Sequence, residues 1–107
     1  MNRFGRIAQQ YWTTYLPSRL AQIPPAERMT FFEQLGREVQ QEIEDRAPAL
    51  EGTPPPDEGY LETVGRLRMA TAQAQEAVLA EMVYLPKEPG TEDLELDTDL
   101  PPEAMRP

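Results

Sequence analysis

Proline is the residue that most restricts this chain. It stands at Pro17, Pro24, Pro25 and Pro48, as a run over 54–56, and at Pro86. Each proline removes a backbone N–H and disfavours helical geometry at the residue before it. Continuous helix across these positions is therefore disfavoured. Three intervals between these breaks carry apolar residues at helical spacing, and only those can become helices of useful length.

The first interval is NRFGRIAQQYWTTYL. Phe4, Ile7, Ala8, Tyr11 and Tyr15 recur at steps of three and four, with Trp12 and Leu16 beside them. That is one face of a helix over about 2–16, with Asn2 as its N-cap and Pro17 as its end. The stretch SRLAQI offers one further turn, with Ser18 as its cap. The second helix is expected over 25–46. Pro25 suits its first turn, and Phe32, Leu35, Val39 and Ile43 form its stripe. Pro48 is its stop signal. Gly36 sits inside this helix at a cost of about 1 kcal/mol against alanine, which suits a close helix crossing. The third helix is expected over 58–85, after a loop with four prolines and two glycines (APALEGTPPPDEG). Asp57 would cap it, and Leu61, Val64, Leu67, Thr71, Ala74, Val78, Met82 and Leu85 would form its inner face.

After Pro86 the character changes. Residues 87–107 carry high charge, four prolines and no aromatic residue, the composition of a disordered acidic tail. The fold class expected is all-α: a small three-helix bundle over 1–86 followed by that tail. With 107 residues there is room for one small core and no second domain.

Charge is polarised along the chain. Residues 1–26 hold three arginines and no acid, residues 27–85 hold five arginines against twelve acids, and residues 86–107 hold two bases against seven acids. The net charge of −9 argues against direct, sequence-independent nucleic-acid binding, which depends on Lys and Arg neutralising phosphates. The sequence contains no cysteine and no histidine. Disulfides and thiolate metal sites are excluded, and the commonest general base and transition-metal ligand are missing. No interval is apolar enough to span a bilayer, and the N-terminal residues lack the pattern of a secretory signal, so a soluble cytoplasmic protein is expected.

Several arrangements invite a chemical reading. Glu58 and Glu62 stand four apart on one helix, and Glu42, Glu44 and Asp45 cluster on another. Carboxylate pairs can do acid–base work, but at this spacing a solvated helix face is the ordinary outcome. Asp93, Glu95, Asp97 and Asp99 alternate as in a calcium loop, yet the central glycine is missing. No phosphate-binding loop is present. No catalytic, cofactor or metal residues are assigned. The first-helix aromatics are expected to pack against the other helices; if a patch remains exposed, Trp12 and Tyr15 are its anchors.

The string TEDLELDTDL, residues 91–100, sets Leu94, Leu96 and Leu100 among Asp93, Glu95, Asp97 and Asp99. Acid–hydrophobic alternation keeps apolar side chains soluble and available to a partner. A protein with a basic groove and small apolar pockets would fit it. The same segment can instead fold back on the basic first helix, or serve only as a solubilising tail. In size and composition the chain resembles the small acidic accessory proteins of phages and mobile elements in high-GC bacteria. The function expected is a non-enzymatic adaptor or regulator that binds another protein. The alternatives are a nucleic-acid mimic that blocks a DNA- or RNA-binding protein, and a structural subunit of an oligomeric assembly.

Overall fold

The apolar periodicity produces helices, and the prolines separate them. The computed structural model describes residues 1–96, in which every regular element is helical. They are α1 (Arg3–Tyr15), α2 (Pro17–Ala21), a single 3₁₀ turn (Pro25–Glu27), α3 (Arg28–Glu51) and α4 (Tyr60–Met82). No helix among the described residues is long and apolar enough to cross a membrane.

Helix α1 begins as expected. The Asn2 Oδ1 accepts the Gly5 N–H at 2.9 Å, satisfying one of the donors a helix N-terminus leaves open. The Asn2 amide then donates to the Gly36 carbonyl at 3.0 Å, so one side chain caps α1 and ties it to α3. The two helices touch backbone to backbone here. A Cβ on Gly36 would lie 2.7 Å from the Gly5 nitrogen, and a Cβ on Gly5 would lie 2.7 Å from the Phe32 carbonyl oxygen. Gly36 marks the close crossing that its interior position suggested. Further along, Trp12 meets the rings of Phe31 and Phe32 at 5.3 and 5.7 Å.

Helices α1 and α3 therefore run antiparallel, and α4 turns back along α3. Arg46 pairs with Glu81 while Arg66 reaches the Glu51 carbonyl, which fixes the antiparallel sense of the α3–α4 hairpin. The core lies between the three long helices. Phe32, Ile7, Leu16, Leu79, Val39, Val78 and Val83 are almost completely buried, each contributing about 1.5–3 kcal/mol of apolar burial.

The structure corrects the expected boundaries at several points. Pro48 does not stop α3, which runs to Glu51 and ends where Gly52 adopts a φ of 69°. Buried Ala47 and the Arg66 bond to the Glu51 carbonyl at 2.7 Å hold the last turn together. Asp57 does not cap α4; Gly59 occupies that position. Glu58 ties the turn down instead, accepting from Arg66 at 2.8 and 3.1 Å and from Thr63 Oγ1 at 2.8 Å. Helix α4 stops at Met82, where the Val83 and Tyr84 N–H groups both turn to the Leu79 carbonyl, at 2.9 and 2.8 Å, and the carbonyls that follow are taken from outside. The Trp12 indole donates to the Val83 carbonyl at 3.1 Å and the Tyr11 hydroxyl to the Leu85 carbonyl at 2.8 Å.

The inner face of α4 is also different. It consists of Ala70, Ala74, Val78 and Leu79, continued by Val83, while Leu61 and Thr71 are exposed. The expected stripe from Leu61 to Leu85 has too short a period. At 3.6 residues per turn it winds about 120° around the helix, so its two ends cannot face the same neighbour.

Finally, the chain after Pro86 is not a free tail from its start. Residues 87–96 fold back against the end of α1. The rest of the expected tail, 97–107, lies outside the described residues.

Candidate protein-binding surface

The fold-back begins with a helix end that needs partners. Leu16 breaks α1 with φ −129° and ψ 53°, and Pro17 opens α2 at once. The first amides of α2 have no side-chain cap from their own segment; Ser18 does not act as one. Glu88 supplies it from far along the chain. Its carboxylate accepts the Ser18 N–H at 3.0 and 3.2 Å and the Arg19 N–H at 3.2 Å. Partial burial opposes ionisation of this carboxyl, but the donations from Ser18 and Arg19 and the nearby Arg19 charge outweigh it. Its pKa is therefore held below the ordinary glutamate value.

Tyr15 is the second anchor of the fold-back. Its carbonyl accepts the Glu88 N–H at 3.0 Å. The Thr91 hydroxyl sits between the carbonyls of Glu88 at 2.7 Å and Tyr15 at 3.3 Å, and Thr91 is buried. The Tyr15 hydroxyl donates to the Leu94 carbonyl at 2.6 Å. The Lys87 ammonium lies 4.2 Å from the centroid of the Tyr15 ring, a cation–π contact. Two turns shape the segment, with Gly90 at φ 89° and the Leu94 N–H donating to the Thr91 carbonyl at 3.0 Å.

This geometry relocates the expected partner residues. Trp12 and Tyr15 are each 7% exposed and belong to the core, so they are not free anchors. The indole N–H and the phenol hydroxyl are both used internally, and α1 cannot release either side chain without opening the bundle. Leu96 packs partly against the core. Leu94 is 48% exposed, and Asp93 and Glu95 on either side of it are exposed. Leu100, Asp97 and Asp99 lie outside the described residues. Thus the fold brings Asp93, Leu94 and Glu95 to the surface as one short strip, with Glu92 also exposed beside it.

Of the carboxylates considered for chemistry, Glu42, Glu44, Asp45 and Glu58 are engaged in structural contacts and Glu62 is exposed. Glu42 pairs with Arg46 at 3.1 Å, and Glu58 is held by Arg66 and Thr63. The Arg66 guanidinium and the Thr63 hydroxyl keep the Glu58 pKa below its ordinary value, against the effect of burial. Gln34–Glu38, Gln40–Glu44 and Gln41–Asp45 are i,i+4 side-chain pairs along the outer face of α3. The basic N-terminal part is likewise engaged: Arg3 donates to Gln75 at 3.0 Å and stacks on Phe4, with its guanidinium carbon 4.8 Å from the ring centroid.

A second surface was not anticipated from the sequence. Tyr60 and Leu61 are each 81% exposed and Met69 is 64% exposed, all on the first half of α4. Leu50 and Leu67 are also exposed at this end of the hairpin. Apolar side chains of this size clustered on one element are a recognised sign of an interaction site. Comparison with protein-family models, with curated proteins and with solved structures finds no match.

Proposed function

We propose that this chain is a non-enzymatic adaptor or regulator that binds another protein through the acid–leucine strip at residues 92–96 and its continuation toward Leu100. The observation that carries this reading is the half-exposed Leu94, set between exposed Asp93 and Glu95 on a segment already held by Tyr15, Thr91 and Glu88. A docking segment ordered before it binds loses less conformational entropy on association. Its acids favour a partner with a basic groove and steer the encounter, while the leucine fills an apolar pocket.

The test is affinity capture from native lysate, comparing the full chain with a full-length triple variant, D93N/L94S/E95Q. Identified proteins are then titrated at low and high salt. The expected result is a partner lost by the variant, with an association rate that falls as salt rises. A partner that binds both forms equally, or whose binding is indifferent to salt, removes the strip from the function. A partner that releases DNA when this chain binds would shift the reading to a nucleic-acid mimic.

A further inference from the structure

The fold-back of residues 87–96 has a direction. Its successive contacts advance toward the start of α1: Glu88 at the Ser18 and Arg19 amides, Thr91 at the Tyr15 carbonyl, then Leu94 at the Tyr15 hydroxyl. The Tyr15 ring leans on that of Tyr11, one turn nearer the start, with centroids 4.8 Å apart. Leu96 packs against the same core. The segment that follows, 97–107, therefore departs beside the C-terminal half of α1.

One side of α1 is open at this place. Gly5 and Trp12 mark the side that meets α3. Arg3, Arg6, Gln10 and Thr13 follow one another at steps of three, four and three on the opposite side. A hollow of about 420 Å³ lies there, lined by Gln9, Gln10, Thr13 and Thr14, with no residue of α3 or α4 among those described in its wall. The Gln10 Oε1 is buried, yet among the described residues it accepts no hydrogen bond. Toward the start of the helix the same side carries positive charge. Arg3 and Arg6 are exposed, and among the described residues neither pairs with a carboxylate.

We propose that this side of α1 is the docking site of residues 97–107 of the same chain, laid antiparallel to the helix. The segment supplies what the face lacks. Asp97, Asp99 and Glu103 are acids for the two arginines, whereas residues 1–26 contain none. An extended backbone offers N–H groups to the buried Gln10 oxygen. Pro101 and Pro102 favour extended backbone at the residues before them and bring no donors of their own. The lengths also agree. From Tyr15 to Arg6 the helix rises about 14 Å, which an extended segment covers in about four residues. Counted from Leu96, Asp99 and Leu100 come level with Arg6, and Glu103 falls within side-chain reach of Arg3. The tether holds the segment at an effective concentration on the order of millimolar, so a free acidic peptide competes poorly. The docking does not rest on the strip at 92–96 binding another protein. A partner that extends its contact to Leu100 has to lift the segment from α1 first.

Paramagnetic broadening of amide NMR signals in the full chain tests the proposal, and the absence of cysteine from the sequence permits single labelling. A nitroxide is attached at Thr98→Cys in one sample and at Ala104→Cys in another. Circular dichroism confirms that each chain is folded. The expected result is selective and ordered: the Thr98 label broadens Gln10–Thr14, and the Ala104 label broadens Arg3–Ile7. Raising salt from about 0.02 to 0.5 M should reduce the effect at least about twofold. Arg6→Glu should weaken it as well, and Asp99→Arg in that background should recover most of the loss. Absence of broadening, broadening spread evenly over the domain or centred on Tyr60–Met69 of α4, or the two labels acting in reverse order overturns the proposal. So does an Arg6→Glu chain that broadens like the parent. Broadening of unlabelled chain mixed with labelled chain would place the contact between copies and overturn it too.

Discussion

Gly36→Ala and Gly65→Ala are the same chemical change in two helix interiors, and they should move stability in opposite directions. At Gly36 the added methyl would lie 2.7 Å from the Gly5 nitrogen and 2.9 Å from the Gly5 Cα. Those are backbone atoms and cannot rotate away, so α1 must move off α3. Overpacking of this kind costs about 1–3 kcal/mol. The shift also strains the Asn2 side chain, which bonds to both helices, and a disturbed N-cap costs about 1 kcal/mol. Alanine returns about 1 kcal/mol through helix propensity. The net loss is about 2 kcal/mol, or about 10 °C in Tm for a domain of this size. At Gly65 only the propensity remains, because the space is open, so that variant should gain up to about 1 kcal/mol, or about 5 °C. Thermal and urea denaturation measures both. A Gly36→Ala variant as stable as the parent would refute the close crossing of α1 and α3. A destabilised Gly65→Ala would refute the open face of α4.

Trp12→Phe keeps most of the ring contact with Phe32 but deletes the donor to the buried Val83 carbonyl. An unsatisfied buried acceptor costs about 1–3 kcal/mol, so urea denaturation should show a loss of that order, and a neutral result would mean that the indole N–H is not needed there. The Glu88 latch has a definite pH sign. A pKa lower in the folded chain than in the unfolded chain means that its contribution is complete above the unfolded value and fades as pH falls through the folded one. The Ser18 and Arg19 amide resonances should therefore shift with a midpoint below the ordinary value of about 4.3, and Glu88→Gln should abolish the transition. A midpoint at or above that value would show that the carboxylate does not cap α2.

What was legible in the sequence was local. Asn2, Pro17 and the apolar steps of α1 specify that helix through neighbours in sequence, and the interior Gly36 announced a close contact. The stop assigned to Pro48 failed because packing of Ala47 and the reach of Arg66 outweigh one missing hydrogen bond. The α4 face held over its second half, where Ala74, Val78, Met82 and Leu85 meet the core, and failed over its first half because a stripe with too short a period was extended along the whole helix. At the candidate strip, Leu94, Asp93 and Glu95 were legible from acid–leucine alternation. Trp12 and Tyr15 pack inside as the first-helix aromatics were expected to, so the conditional anchor role falls away, while the bonds of their polar atoms to residues more than 70 positions away are encoded in no local pattern. One signal for the fold-back was present: Pro89 and Gly90 mark a turn directly after Glu88, while α2 lacks a cap of its own.

That long separation also has a consequence during synthesis. Helix α1 is made before the other helices described, yet its tryptophan, both of its tyrosines and the start of α2 find their partners in residues 83–94. At about 5–20 residues per second, those partners follow some 4–15 s later. For that interval the most aromatic part of the chain has no finished core to enter. The later segment is thus the one that closes the earlier, and a product stalled before it would leave the aromatics of α1 open to aggregation or to chaperones.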